Sequence, residues 1–461
     1  MPGWETATFA PALFRFLRFA VEIEVAKMDV IIIGSGYGGL STAALLARQN
    51  LRVLVLEQAG NIGGRASYRR RNGYIVEYGL HANRFGSEGA AQRLMHMLGE
   101  SIDFCHPGPP VYFHRGRFYP FPNSAPKFLT TKILSFPERL QATNILLRLL
   151  MAKPESSWQR PYSQLIGKVR SGALKELMVA LAGIGIVAID PEKTSVGELS
   201  VFIRKSLKAK EKVAYPRGGT SQILNKLRQV IEKGGGEIRL HSQVKQISFS
   251  KDKAIAVELA DGNRLQAQAI VCAFPVQNLS RIVPKNLFPK SLASRVTSLE
   301  PTAGIALDFG LKKPVSDIDG LVVTGKPVTM GQFSSNIDAS VAPPGKQIGS
   351  WYYPLPESIM KNRERIEREI RTLRKILEQM FPGIWENLEW ERILTLSMVD
   401  GFVPRPGQAR PDRPPIRVPG FTNLFLAGDT TSAEGTGGDC AFNSAIECAE
   451  AVTSYLKSLG S

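Results

Sequence analysis

Three glycines in the run Gly34-Ser35-Gly36-Tyr37-Gly38-Gly39 have the spacing of a dinucleotide-binding fingerprint, with Gly34, Gly36 and Gly39 in its defining places. Each meets a separate demand: a tight turn, the close approach of backbone to a pyrophosphate, and a helix–strand contact, all of which exclude a Cβ. Glu57 stands 18 residues after the last of them, where an acid accepts hydrogen bonds from ribose hydroxyls and disfavours a ligand with a 2′-phosphate. A second glycine pair follows in Asn61-Ile62-Gly63-Gly64-Arg65-Ala66, ending in a cation suited to a phosphate. Near the other end of the chain, Leu426-Ala427-Gly428-Asp429 precedes Gly437-Gly438-Asp439-Cys440-Ala441, a glycine-rich helix start. Free N–H groups and the positive dipole end of such a start attract negative charge.

The elements around these residues decide whether the spacing means anything, since the fingerprint alone is weak. Asp29 to Ile33 is a β-branched run typical of a strand buried on both faces of a parallel sheet. Leu40 to Gln49 reads as a helix and Val53 to Leu56 as the next buried strand, which makes a compact βαβ unit. A helix from Gln222 to Lys233, strands at Glu237 to Leu240, Val244 to Phe249, Lys253 to Leu259 and Ala269 to Ala273, and a last strand running into Gly428 return to the same sheet. Two stretches interrupt it. The one from about His81 to Tyr215 reads as mainly helical; that from about Leu287 to Leu394 reads as mixed strands with a charged helix over Asn362 to Met380.

Taken in order, the motifs resemble the superfamily of FAD-dependent amine oxidases, protoporphyrinogen oxidases and phytoene-type desaturases. The resemblance runs from Met28 to the C-terminus and is specific for FAD rather than for substrate. It implies an α/β fold in which a Rossmann-like FAD-binding domain (residues 28–80, 215–286 and 395–461) is interleaved with a mixed α+β substrate domain (81–214 and 287–394). It also implies roles: Gly63, Gly64 and Arg65 along the pyrophosphate and flavin, Gly79 at a turn whose backbone faces the isoalloxazine, and Val244 at the adenine. Gly428 and Asp429 would bind the ribityl or pyrophosphate region, and Gly438, Asp439, Cys440 and Ala441 the pyrimidine edge. Cys440 lacks the Ser-Gly-Gly-Cys neighbourhood of the covalent flavoproteins, so non-covalent FAD is expected.

At 461 residues the chain exceeds one hydrophobic core, and 43% hydrophobic residues place it among globular proteins. A net charge of +17 fits an anionic membrane surface or simply scattered surface cations, and no nucleic-acid module accompanies it. Four cysteines without C-x-x-C spacing fit a reducing cytoplasm, and no metal site is expected. The longest uncharged apolar run, Leu177 to Ile189, is too short to cross a bilayer. Residues 1–27 read as an interfacial extension or as the product of a start codon placed too early, without a signal-peptide cleavage site.

The substrate side is less legible. His81 lies close enough to the flavin-facing turn to be a catalytic candidate, though a lone histidine is more often structural. Trp351-Tyr352-Tyr353 could wall an apolar pocket, supply an amine-binding aromatic pair, or be core. Basic and apolar residues alternate from Lys127 to Met151, with Phe128 and Leu129 as candidate anchors for an anionic membrane, or as ordinary helical core. The leading expectation is a carotenoid or isoprenoid desaturase-like enzyme. It would take hydride from a lipid-soluble substrate to flavin N5 and pass electrons to a quinone or oxygen, in the cytoplasm and peripherally membrane-associated. The alternatives are an amine or protoporphyrinogen oxidase, and, from another class, a flavin-free isoprenoid-binding chaperone.

Overall fold

The computed structural model describes residues 28–284, 287–288 and 290–460, so residues 1–27 lie outside it. The β-branched run forms the strand Met28–Ile33 at the centre of a sheet. Val53–Leu56 pairs parallel on one side of it and Arg264–Cys272 parallel on the other. The chain therefore leaves the central strand in both directions, and the crevice beyond such a switch point is where open α/β sheets bind ligands. Glu237–Arg239 extends the sheet past Val53–Leu56, and Leu424–Leu426 pairs parallel with the end of Arg264–Cys272. Val244–Ser250 and Lys253–Leu259 add an antiparallel extension. Helices Tyr37–Ala47, Thr220–Lys233 and Gly438–Leu459 pack on one face around Leu40, Leu46, Leu227 and Val452.

A second sheet takes strands from both interrupting stretches, in the order Leu388–Leu396, Ala303–Leu311, Gln347–Leu355, Met330–Phe333, Val322–Thr324, Val111–His114 and Arg117–Pro120. The stretch 81–214 is mainly helical, as expected, but it also gives this sheet a hairpin that the helical reading left out. Val111–His114 and Arg117–Pro120 form a hairpin whose turn residues Arg115 and Gly116 both have positive φ, 50° and 78°, the conformation that matches strand twist in two-residue hairpins. Ala303–Leu311 and Gln347–Leu355 are buried along their whole length. Helices Phe136–Met151, Gly172–Ile186 and Val196–Lys208 cover one side of the sheet, and Arg363–Met380 covers the other.

Burial divides two sequence neighbourhoods residue by residue. In Trp351-Tyr352-Tyr353, Tyr352 joins the cluster under the three helices, while Trp351 and Tyr353 join the one under Arg363–Met380. That is the alternation of a strand buried on both faces. In the helix Ala125–Thr130, Phe128 is 1% exposed and Leu129 44%. Neighbours on a helix point about 100° apart, so Phe128 is core and only Leu129 faces water. The expectation that Phe128 is an exposed anchor is overturned.

Candidate active site

The glycines of the first loop fall into two groups. A Cβ on Gly34, where φ is +105°, would lie 2.7 Å from the carbonyl oxygen of Ala273, and one on Gly38 would lie 2.7 Å from the amide nitrogen of Gly428. A Cβ on Gly39 would sit against the Gly34 carbonyl oxygen, far inside contact distance. These three are demanded by the protein itself. Gly36 is not: its φ is an ordinary −69°, and no atom of the described residues comes within 4 Å of where its Cβ would stand. Neither conformation nor packing calls for glycine there, and the open position has room for the close approach of a ligand. Gly36 is also the N-cap of Tyr37–Ala47 and carries no side-chain cap, so that helix start keeps N–H groups available.

The other motifs converge on this loop. Gly63 and Gly64 have φ of +106° and +53°, the left-handed region glycine tolerates. Gly36 and Gly63 form a parallel bridge, with Gly63 N–H donating to Ser35 O at 2.9 Å. Glu57, 8% exposed, accepts from Ser35 N and Oγ at 2.9 and 2.7 Å and from Ala59 N at 2.9 Å. Three of roughly four acceptor positions are thereby used, leaving room for about one more donor. Backbone bonds from Glu57 to Arg239 and Ser242 bring Val244, at the start of its strand, into the same neighbourhood.

Arg65 and Asp429, 364 residues apart, form a two-pronged ion pair at 2.8 and 2.6 Å. Arg65 also donates to Val399 O at 2.8 Å, and Gly401 N donates to Asp429 at 2.7 Å. In the described structure, Arg65 thus faces a carboxylate. Gly428 has φ +121° and open space around its Cβ position. The helix Gly438–Leu459 starts at Gly437 with no side-chain cap, a second helix start with N–H groups to offer. Asp439 pairs with Arg84 at 3.9 Å, and burial raises its pKa, partly offset by Arg84. The Cys440 thiol is turned inward, fully buried toward the carbonyls of Ala433 and Thr431, and burial pushes it up to about 12. Ala441 is likewise buried.

Gly79 (φ +90°) lies with its Cβ position 3.5 Å from Ala306 of the second sheet. Its carbonyl oxygen is 3.0 Å from Nδ1 of His81, which leaves Nε2 for other partners. Glu77, two residues before Gly79, accepts from Thr220 N at 2.6 Å and Tyr215 OH at 3.0 Å, and burial raises its pKa. Sequence reasoning missed Asp400, which no local motif marks. Its carboxylate sits where a Cβ on Gly437 would go. Burial lifts its pKa to about 6, Arg84 opposing and Asp429 reinforcing the rise. Among the described residues, no group of three or more His, Cys, Asp and Glu could hold a metal.

The family model for flavin-containing amine oxidoreductases matches residues 37–453. The chain belongs to that family. Two glycine-capped helix starts, the open Gly36 and Gly428 positions and the acceptor Glu57 fit a flavin dinucleotide of the kind that names this family. Curated relatives include the 15-cis-phytoene desaturase of Capsicum annuum, 26% identical over 61% of this chain and 52% of its own length. The chain therefore spans about half of that relative. The 15-cis-phytoene desaturase of Glycine max is 25% identical over 92% of this chain and 79% of its own. Among solved structures, an oxidoreductase from Methanosarcina mazei is 20% identical with a TM-score of 0.77, covering 92% of this flavoprotein and all of that chain. Putrescine oxidase with bound putrescine is 14% identical with a TM-score of 0.69, over 94% and 99%.

Proposed function

We propose that this flavoprotein dehydrogenates a lipid-soluble, isoprenoid-like substrate, removing two hydrogens across a carbon–carbon bond. When bound, FAD supplies the two-electron acceptor, with a quinone or oxygen taking the electrons onward. The observation that carries the reading is the apolar cluster against which residues beside the flavin-binding motifs pack. Leu80, next to His81, and Val399, whose carbonyl receives Arg65, pack against a cluster that includes Val323, Val328, Met330 and Tyr352. The alternative of an amine substrate gains no support from the 351–353 segment: Trp351 and Tyr353 are buried together under Arg363–Met380, where Tyr353 OH donates to Glu369 at 2.9 Å, and Tyr352, on the other face, donates to Ala303 O at 2.9 Å. The curated relatives named as phytoene desaturases lend the same direction.

Gly34, Gly36, Gly39, Glu57, Gly63, Gly64, Val244, Gly428, Gly438 and Asp439 would hold the cofactor, with the Arg65–Asp429 pair setting the shape of its site. We place FAD there non-covalently, the Cys440 thiol being directed into the core. His81 is the candidate for moving a proton near the substrate. The test is anaerobic mixing of the yellow holoprotein with a detergent-dispersed polyene precursor, a primary amine or a porphyrinogen, followed by flavin bleaching. Bleaching by the polyene alone is expected; bleaching by the amine or porphyrinogen alone would overturn the reading.

A further inference from the structure

The helix Phe136–Met151 buries Ala142, Ile145, Leu146 and Leu149. On its opposite side Phe136, Leu140, Leu147 and Met151 are 69%, 51%, 50% and 78% exposed, positions that share one face at helical spacing. Leu129, just before it, is 44% exposed. Eleven large apolar side chains are exposed among the described residues, and these are five of them, so the exposure is concentrated rather than scattered. The molecule supplies its own comparison in Arg363–Met380. There the exposed positions are Arg363, Glu364, Arg365, Glu367, Arg368, Arg371, Lys375 and Gln379, the ordinary solvated face of an amphipathic helix.

Charge selects the occupant. Residues 125–153 contain Lys127, Lys132, Arg139, Arg148 and Lys153 against a single acid, Glu138. That acid is occupied in capping the helix, accepting from Ser135 N at 2.6 Å and Ser135 Oγ at 2.7 Å. Lys127, Lys132, Arg148 and Lys153 are all exposed. An apolar stripe rimmed by four exposed cations, with one exposed acid, Glu155, just beyond its end, complements an anionic lipid surface, where apolar side chains enter the acyl boundary and cations stay at the headgroups. We propose that this face seats the protein on an anionic bilayer. No helix of the described residues is long and apolar enough to cross one, so the contact is peripheral. The proposal builds on the reading of a lipid-soluble substrate. The inner face of this helix belongs to the apolar cluster that reaches Met330 and Tyr352, which places the bilayer surface and that cluster on the two sides of one helical layer.

The test is flotation of the full-length holoprotein with vesicles of phosphatidylglycerol in phosphatidylcholine, and with phosphatidylcholine alone. The wild type should bind the anionic vesicles and be partly released by salt. The triple variant Leu140→Gln, Leu147→Gln, Met151→Gln should bind at least about tenfold more weakly, with flavin spectrum and melting temperature unchanged, since all three side chains face water. The charge variant Lys132→Glu, Arg148→Glu should lose the preference for anionic vesicles. Failure of the wild type to bind at low salt, or equal binding by the triple variant, overturns the proposal. So does a wild-type dimer that the triple variant disrupts while vesicles stay bare, which would assign the face to a second copy of the chain. Vesicle binding is measured without substrate, so its failure is separate from failure of the flavin-bleaching assay.

Discussion

Replacing Gly36 by alanine isolates the ligand's demand on the first loop from the protein's own. With φ at −69° and no described atom within 4 Å of the new Cβ, the substitution creates neither strain nor overlap in the flavin-free protein. Two small terms remain and oppose each other. Restricting the unfolded chain stabilises by roughly 0.4–1 kcal/mol, and alanine is worse than glycine at an N-cap by about 0.5–1 kcal/mol. Their near-cancellation predicts an apoprotein melting temperature close to wild type. Gly39→Ala is the contrast: its Cβ meets the Gly34 carbonyl and comes within 3.0 Å of the Ala273 side chain, an overpacking expected to cost about 1–3 kcal/mol or more. FAD binding should separate the variants in another way. If backbone at Gly36 touches the pyrophosphate, Gly36→Ala should raise the dissociation constant by at least about tenfold, or 1.4 kcal/mol, and lose a matching part of the stabilisation that FAD confers. Titration by flavin fluorescence and melting curves with and without FAD measure both effects. Wild-type FAD affinity in Gly36→Ala, or an apoprotein as damaged as Gly39→Ala, would refute the argument.

Two further outcomes follow from the same geometry. Glu57→Gln should weaken FAD and destabilise the loop together, because Ser35 N, Ser35 Oγ and Ala59 N all donate to that carboxylate and charged hydrogen bonds contribute about 1.5–3 kcal/mol each; Ser35→Ala, which keeps the carboxylate, should be milder, and equal effects in titration and melting would contradict this. Asp400 binds its proton more tightly folded than unfolded, from an ordinary 3.8 up to about 6, so it adds stability below about pH 4 that is lost as pH rises to 6; Asp400→Asn should flatten this part of the apoprotein's melting profile, and parallel profiles for the two proteins would count against a buried carboxyl there.

What could be read from the sequence was whatever one segment dictates. The strand Met28–Ile33, its glycine loop and the following helix are specified by a β-branched run, glycine spacing and an alanine-leucine stretch, all within about one turn of the residues they position. Residues brought together from afar were not legible as partners. Arg65 carries a phosphate-binding pattern locally, yet it faces Asp429 because Leu424–Leu426 lies beside Arg264–Cys272. Asp400 has no signature at all; its setting depends on Gly437 and Arg84 from other parts of the chain. Phe128 and Leu129 share composition and neighbours, and only the position of the core tells which one is buried. The Val111–Pro120 hairpin did carry a signal, aromatic residues about an Arg-Gly turn, but it lies between helical patterns that dominate the stretch.

The two glycine motifs at opposite ends of the chain are not independent halves of a site. Gly38 can approach Gly428 so closely only because Gly38 has no side chain in the way, its Cβ position lying 2.7 Å from the Gly428 nitrogen. Arg65 and Asp429 fasten the same junction, and Gly428 N–H is held by Ser444 of the closing helix at 2.7 Å. The loop after the first strand therefore acquires its final shape only when the last strand and helix are docked against it. Both glycine-capped helix starts then become available to one ligand together. FAD contacts at the two ends should be coupled: weakening the Gly38–Gly428 junction must reduce affinity even where the substituted residue never touches the cofactor, because the N–H groups of one helix start lose their position relative to the other.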